Sequence, residues 1–257
     1  YFHVCLINNW VIIVHEIFQL LNSYNAFDRV DEIRICSLGN SDQLDQFNWK
    51  INNKIKLYAH NSDISKLEKF TLDILLKDSK ETKEDFNVFY LHSKGVSDKY
   101  NYNKDIINNI DLDIWKTNNQ FYNSICWTKY MILACWKYEI EKNLKYFDVI
   151  GSKFCDSLIG CHFSGNYWWS NSRYIKNLNE VKNYYYDAES WILQSNNIII
   201  QNIKIPCSII NIDSFEENCK KNIDNIDISS LKNKNINLRE NVNKNISELK
   251  QQINNCM

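Results

Sequence analysis

Four consecutive residues suited to a phosphorylated ligand stand in the first half of the chain: His92, Ser93, Lys94 and Gly95. They follow residues 88–91, a short apolar run that predicts a central strand buried on both faces. Ligands of open α/β sheets bind just beyond the carboxyl ends of the strands. A titratable ring, a hydroxyl, an ammonium group and a glycine backbone therefore lie where a phosphate is expected. An ordinary strand-to-loop turn with a solvated lysine explains the same four residues equally well.

A second dense stretch, residues 161–174, reads CHFSGNYWWSNSRY and contains residue types that bind sugars. Indole faces stack on sugar rings, whereas imidazole, hydroxyl and amide groups hydrogen-bond to sugar hydroxyls. Neighbouring strand residues point to opposite faces, so we expect one tryptophan to line a site and the other to fill the core. A central glycine indicates a close approach to the backbone. An aromatic core strand is the alternative. The candidate acceptor-binding residues are His162, Ser164, Gly165, Asn166, Trp168 and Trp169.

Two carboxylate pairs with a spacing of two residues have both a functional and a structural interpretation. Asp187 and Glu189 lead into an apolar helical segment, where one of them could act as general base for an acceptor hydroxyl. Acidic residues in a first helical turn are also favourable caps. Asp111 and Asp113 form a D-x-D pattern that could hold a divalent cation, but they stand in a polar stretch where helix capping or solvation also explains them.

Short β-prone runs alternate with segments of helical apolar spacing. The first strand is expected at residues 2–7 and the first helix at residues 10–24. This alternation predicts an α/β fold with a mostly parallel central sheet flanked by helices. Asn8 and Gly39 follow the first two strands. Further strands are expected at residues 33–37, 55–59, 88–91, 147–151 and 198–205, and further helices at residues 65–77 and 118–145.

The composition argues against several classes of function. A net charge of −1 over 257 residues lacks the basic excess of a nucleic-acid-binding protein. The nine cysteines form no C-x-x-C pair, which removes support for a zinc or thioredoxin site. Thiols within apolar runs favour a reducing, cytoplasmic location. We expect no membrane span, and the absence of G-x-G-x-x-G argues against a dinucleotide site.

The composition changes at residue 218, where Asn, Lys and Ile become frequent. Apolar residues recur there at a spacing of three to four, which predicts a helical C-terminal appendage over residues 218–257. Such a helix either packs on the body or forms the seam of a homodimer.

Four sequence blocks, taken in order, carry a resemblance to a known family. They are YLHSKG at 90–95, FDVIG at 147–151, HFSGNYWWSNSRYI at 162–175 and DAESWI at 187–192. Together they resemble a family of glycosyltransferase-like domains found in large DNA viruses and in bacterial polysaccharide gene clusters. The resemblance extends from about residue 2 to about residue 205 and leaves the C-terminal appendage uncovered. The high Asn, Ile and Lys content fits a viral origin and hence the host cytoplasm.

The resemblance implies a GT-A-like fold and the transfer of a sugar from a nucleoside-diphosphate sugar to a glycan or glycoconjugate hydroxyl. Residues 1–97 would be the nucleotide-sugar-binding half and residues 98–217 the acceptor-binding half. Asn8 and Gly39 would flank the nucleotide. His92–Gly95 occupies the place where typical members carry the metal-binding D-x-D, so Lys94, with His92, would stabilise the leaving diphosphate.

No cofactor is therefore expected to be required, with Mn²⁺ or Mg²⁺ at Asp111 and Asp113 as the weaker alternative. One base and no evident nucleophile favour inversion at the anomeric carbon. Two other functions stay open. The first is a catalytically inert module that binds a glycan or a nucleotide sugar, and the second is a different phosphate-handling α/β enzyme such as a hydrolase.

Overall fold

The computed structural model describes residues 1–94, 119–136, 140–157, 160–182, 187–195 and 198–203. Gly95, the Asp111–Asp113 pair and the predicted C-terminal appendage lie outside these ranges. The described strands are β1 (Phe2–Leu6), β2 (Ile33–Gly39), β3 (Ile55–Asn61), β4 (Asn87–His92), β5 (Val149–Ser152), β6 (Phe154–Ser157), β7 (Gly160–Phe163), β8 (Trp168–Asn171) and β9 (Ile200–Ile203).

Helices connect several of the strands, and the longest helices have apolar residues three to four positions apart. The described α-helices are α1 (Trp10–Ser23), α2 (Ala26–Arg29), α3 (Lys69–Glu81), α4 (Asn119–Trp136), α5 (Ser172–Ile175) and α6 (Asp187–Ser190). Single 3₁₀ segments occupy Ser41–Gln46, Trp49–Ile51, Ile64–Lys66, Ile140–Lys145 and Trp191–Leu193. No helix in the described ranges is long and apolar enough to cross a membrane.

Seven strands form one sheet in the order β3-β2-β1-β4-β8-β5-β9. The pairs β3–β2, β2–β1, β1–β4 and β5–β9 are parallel, whereas β8 is antiparallel to both of its neighbours. Strands β6 and β7 form a separate antiparallel ribbon. The prediction of a mixed α/β fold with a mostly parallel central sheet is confirmed.

Both faces of the sheet are covered at β4, as the near-continuous apolar sequence of that strand predicts. Phe89 and Leu91 pack in the core under α1 and α4, whereas Val88 and Tyr90 pack in the opposite core under α3 and α5. Residues 88–91 of the central strand are therefore buried on both sides, and the half-buried His92 stands at its carboxyl end.

The strand order reverses at β1, since the chain adds β2 and β3 on one side of it and β4 on the other. At such a switch point the loops leaving the two neighbouring strands diverge and open a ligand-binding crevice. Hydrogen bonds hold these strand ends together. The Ser93 backbone N–H donates to the His3 carbonyl at 2.9 Å, and the Cys5 backbone N–H donates to Ser93 Oγ at 3.1 Å.

Several predicted ends of helices and strands are wrong, because local backbone geometry and not apolar spacing determines where those elements begin and end. The helix expected over residues 65–77 begins only at Lys69, because Leu67 adopts a positive φ of 50° that separates it from the preceding 3₁₀ turn. The helix expected over residues 118–145 ends at Trp136, and Ile140–Lys145 is 3₁₀. The single aromatic strand expected within residues 161–174 is two strands, β7 and β8, joined by a turn.

Candidate functional site

Four of the predicted donor-binding residues lie at the switch point. His92 ends β4, and Ser93 and Lys94 follow it directly. Asn8 follows β1 with an exposed side chain and a φ of 49°. Lys94 is half-buried, and its backbone N–H donates to the His92 carbonyl at 2.9 Å. The structure thus brings together at one sheet edge the residues that sequence spacing alone assigned to the ends of two separate strands.

The His92 ring is held by protein acceptors at both of its nitrogens. Nδ1 lies 3.1 Å from Glu68 Oε1, and Nε2 lies 2.9 Å from the Gly165 carbonyl oxygen. A carboxylate and a carbonyl only accept hydrogen bonds, so each nitrogen of the ring faces an acceptor that the protein itself supplies. Both ring nitrogens are thus engaged within the protein, and a role of His92 in binding a diphosphate stays a prediction.

Glu68, which sequence reasoning did not identify, is the centre of the site. It precedes α3, and its side chain is only 17% exposed. Besides its contact with His92, its carboxylate accepts hydrogen bonds from the Tyr90 hydroxyl at 2.8 Å and from Asn166 Nδ2 at 2.7 Å. We call Glu68, Tyr90, His92 and Asn166 the Glu68 cluster.

The environment of Glu68 keeps it ionised. Burial by itself raises the pKa of a carboxyl group, but the charge and hydrogen bond of His92, followed by the charge of His3 and the Tyr90 hydroxyl, lower the pKa of Glu68 to about 2. His3, in register with His92 on β1, is buried and bonds Thr71 Oγ1 through Nδ1 at 2.7 Å. Burial lowers the pKa of His3 to about 4.

Asn166 links the Glu68 cluster to the late acids. It is fully buried with a φ of 54°. Its Nδ2 lies 3.3 Å from the Ala188 carbonyl oxygen, and its Oδ1 accepts from Trp168 Nε1 at 2.8 Å. Ala188 stands between Asp187 and Glu189. A chain of contacts therefore runs from His92 through Glu68 and Asn166 to the backbone between the two late acids. These residues are far apart in sequence, and the fold brings them together.

The two adjacent indoles do point to opposite faces of the sheet, but both are buried. Trp168 is fully buried and stacks on Tyr90 with ring centroids 4.9 Å apart. Trp169 is 4% exposed, packs 5.1 Å from Phe89, and donates from Nε1 to the Cys135 carbonyl at 2.9 Å. Both indoles therefore fill the core, because β8 is an interior strand with a core on each face, and sugar binding by either one stays a prediction.

Two predicted glycines have structural explanations. At Gly165, with a φ of 88°, an added Cβ would lie 2.6 Å from Trp127 Nε1. The close approach expected at this glycine is confirmed, and the approaching group is an indole from α4 rather than a ligand. At Gly39, with a φ of 130°, an added Cβ would lie 2.9 Å from the Cβ of Leu6. Gly39 therefore allows β2 to approach the end of β1.

The remaining candidates make contacts of their own. Ser93 is buried and holds β1 to β4, so its hydroxyl does not face the crevice. His162 is buried in the β6–β7 ribbon, with Nδ1 3.0 Å from the Gly160 carbonyl oxygen. The Ser164 backbone N–H donates to the Lys153 carbonyl at 3.0 Å. These contacts fix the positions of the three residues, and the predicted binding roles of their side chains stay predictions.

Asp187 and Glu189 are half-buried in α6, beside the Ala188 carbonyl that receives the Asn166 amide. Their placement next to the Glu68 cluster keeps both as candidate bases. Among the described residues, no group of three or more His, Cys, Asp and Glu side chains could hold a metal ion. The alternative cation ligands Asp111 and Asp113, like Gly95, lie outside the described ranges.

Comparison with known proteins gives a family without a defined activity. A model of a domain of unknown function, DUF8361, matches residues 7–219, and the chain belongs to that family. No curated protein and no solved structure matches the chain. The matched region contains Glu68, His92, Asn166 and the two late acids.

Proposed function

We propose that this chain is a glycosyltransferase that moves a sugar from a nucleoside-diphosphate sugar to a hydroxyl of a glycan or glycoconjugate. The observation that carries the proposal is the Glu68 cluster. It joins His92, at the end of β4, to Asn166 and to the backbone between Asp187 and Glu189. A cationic donor side and an acidic acceptor side are thereby held next to each other.

The sheet supports a GT-A-like fold within this proposal. A parallel part, β3-β2-β1-β4, is joined through the antiparallel strand β8 to a second part formed by β5 and β9. The resemblance implies this division into a nucleotide-sugar-binding part and an acceptor-binding part within one domain. The crevice at the switch point is the position at which open α/β sheets bind nucleotides.

On the donor side, the diphosphate would lie beyond the end of β4, beside Lys94 and the exposed Asn8. His92 is already engaged by Glu68 at 3.1 Å, so Lys94 is the residue that offers a positive charge to the diphosphate. Charge develops on the diphosphate as it leaves, and a cation fixed at that position stabilises the transition state more than the ground state.

On the acceptor side, Asp187 or Glu189 would take the proton of the attacking hydroxyl. The hydroxyl oxygen then bonds to the anomeric carbon while the bond from that carbon to the diphosphate oxygen breaks. The electron pair leaves with the diphosphate, next to Lys94. A single displacement of this kind inverts the configuration at the anomeric carbon.

The proposal is tested with a panel of nucleoside-diphosphate sugars, each added with and without Mn²⁺. Binding raises the melting temperature by mass action, and transfer is followed as release of the nucleoside diphosphate in the presence of glycan acceptors. We expect one donor to stabilise the protein and to be turned over only with an acceptor. Release without any acceptor would identify a hydrolase instead, and a panel without binding would contradict the proposal.

A second candidate is an inert module that binds a nucleotide sugar. The burial of both Trp168 and Trp169 favours this module, because neither indole then presents an open face to an acceptor sugar. Saturable donor binding with no transfer to any acceptor would support this module and exclude the transferase.

A further inference from the structure

A groove of about 680 Å³ runs along the outer side of α3. Its floor is apolar and includes Leu67, Phe70, Ile74 and Val181. Leu67 is 42% exposed, and Phe70 and Ile74 are half-buried. We call this feature the lysine groove, because lysines form its rim.

The charge of the lysine groove is strongly one-sided. Lys66, Lys77 and Lys182 line it with exposed side chains. In the described part of the chain, no carboxylate lies within ion-pair distance of these three ammonium groups. A fourth lysine, Lys69, is engaged by Asp73 at 3.0 Å and by the Val181 carbonyl. The only acid in the lining is therefore already paired, and an excess of positive charge borders the apolar floor.

The groove begins at the candidate site. Glu68 stands between Leu67 and Lys69, both of which line the groove. At the same end the lining includes Ala188, whose carbonyl lies 3.3 Å from Asn166 Nδ2 and whose neighbours are the two candidate bases. A molecule lying in the groove would thus have one end next to Asp187 and Glu189.

We propose that the lysine groove binds the acceptor, and that the acceptor is a phosphorylated amphiphile. Its apolar chain would lie on the floor, where burial of apolar area is favourable, and its phosphate would contact the rim lysines. Its hydroxyl end would reach the two late acids. The term acceptor rests on the proposed glycosyl transfer, whereas the binding of a phosphorylated amphiphile does not.

The binding test uses dodecyl phosphate below its micelle concentration, titrated by calorimetry into the full chain without any nucleotide sugar. Dodecyl maltoside, which has the same chain and a neutral head, and inorganic phosphate serve as comparisons. We expect dodecyl phosphate to bind at least about tenfold more tightly than either, because only it uses both the floor and the lysines. Equal binding of the neutral amphiphile would overturn the proposal.

Substitutions test the location of binding. The double variant Lys66→Gln, Lys182→Gln should bind dodecyl phosphate about tenfold more weakly, since two exposed ion pairs are lost. Lys80→Gln is the matched control, because Lys80 is an exposed lysine of the same helix that does not line the groove. Circular dichroism confirms that each variant is folded. The same loss in the control, or no loss in the double variant, would contradict the assignment.

Failure of this inference is distinguishable from failure of the proposed function. Lysine-dependent binding of dodecyl phosphate without turnover of any nucleotide sugar would leave the groove assignment standing and remove the transferase. Sugar transfer to free glycans by a protein that does not bind dodecyl phosphate would support the transferase and remove the groove assignment.

Discussion

The Asn166 side-chain amide donates to Glu68 at 2.7 Å, across 98 residues of sequence. This contact joins the start of α3 to the turn before β8, and both ends of it belong to the candidate site. Because Glu68 also contacts His92, one buried carboxylate fixes the relative positions of the predicted donor and acceptor sides.

Glu68→Gln should lower the free energy of unfolding by about 3 kcal/mol, since it removes the buried carboxylate that His92, Tyr90 and Asn166 all contact. The midpoint of urea denaturation at neutral pH measures this loss. Glu81→Gln is the matched control, because Glu81 is an exposed acid at the end of the same helix. Equal stability of the two variants would show that the Glu68 cluster contributes little.

Acidification should destabilise the protein in two separate windows. His3 has a folded pKa of about 4 against 6.5 unfolded, so the unfolded state binds the extra proton and stability falls between pH 6.5 and 4. Glu68 has a folded pKa of about 2 against 4.5 unfolded, so its contribution, complete above pH 4.5, is lost between pH 4.5 and 2.

Urea denaturation across the pH range measures both windows. His3→Gln should flatten the stability profile in the upper window, and Glu68→Gln should flatten it in the lower one. Each flattening is expected to be roughly 3 kcal/mol. A profile of the His3 variant that parallels the unsubstituted protein above pH 4 would refute the assignment of that window.

Gly165→Ala should destabilise the protein more than Gly160→Ala. Both glycines have positive φ angles, 88° and 97°, so either substitution should lower the free energy of unfolding by about 1–2 kcal/mol through backbone strain. Only at Gly165 would the new Cβ collide with Trp127 Nε1, at 2.6 Å, whereas at Gly160 the nearest atom is 3.6 Å away. Overpacking should add about 1–3 kcal/mol, measured as a difference in denaturation midpoint. Equal losses would mean that the indole moves aside without cost.

Lys94→Ala should lower kcat of sugar transfer by roughly 10²–10³, because a charge aimed at the leaving group acts mainly in the transition state. Steady-state release of nucleoside diphosphate measures the effect. Lys94→Arg should retain more activity, and Lys80→Ala, at an exposed position away from the crevice, should retain all of it. Unchanged turnover in Lys94→Ala would remove this lysine from the mechanism.

One of the variants Asp187→Asn and Glu189→Gln should reduce transfer by about 10²–10⁴, whereas donor binding should stay unchanged in both. Donor-induced thermal stabilisation and acceptor-dependent turnover, measured side by side, separate binding from proton removal. Glu180→Gln provides an exposed acid-to-amide control. Full activity in both variants would mean that neither acid is the base.

The central part of the fold was predictable because its strands are buried on both faces. β1, α1 and β4 begin within one residue of the expected positions, since continuous apolar runs and helical spacing determine them. The start of α3 was not predictable from that spacing, because the positive φ of Leu67 depends on local backbone geometry.

The candidate site was only partly predictable, for reasons specific to its residues. His92 and Lys94 follow a recognisable strand, so their position at the sheet edge could be inferred. Glu68 stands in a polar stretch without any pattern, and only the folded chain brings it to His92. Trp168 was ambiguous, because an indole that stacks on a sugar and one that stacks on Tyr90 have the same sequence signature.

Because β8 runs antiparallel to β4, the length of the connection between β7 and β8 determines where Asn166 lies. Trp168, at its start, is paired with Tyr90 near the end of β4, and Asn171 with Asn87 at the opposite edge of the sheet. The chain therefore arrives at the crevice before it enters this strand, and a single residue inserted between Phe163 and Trp168 would displace Asn166 from Glu68. An insertion after Asn171 would fall at the far edge and leave the crevice undisturbed.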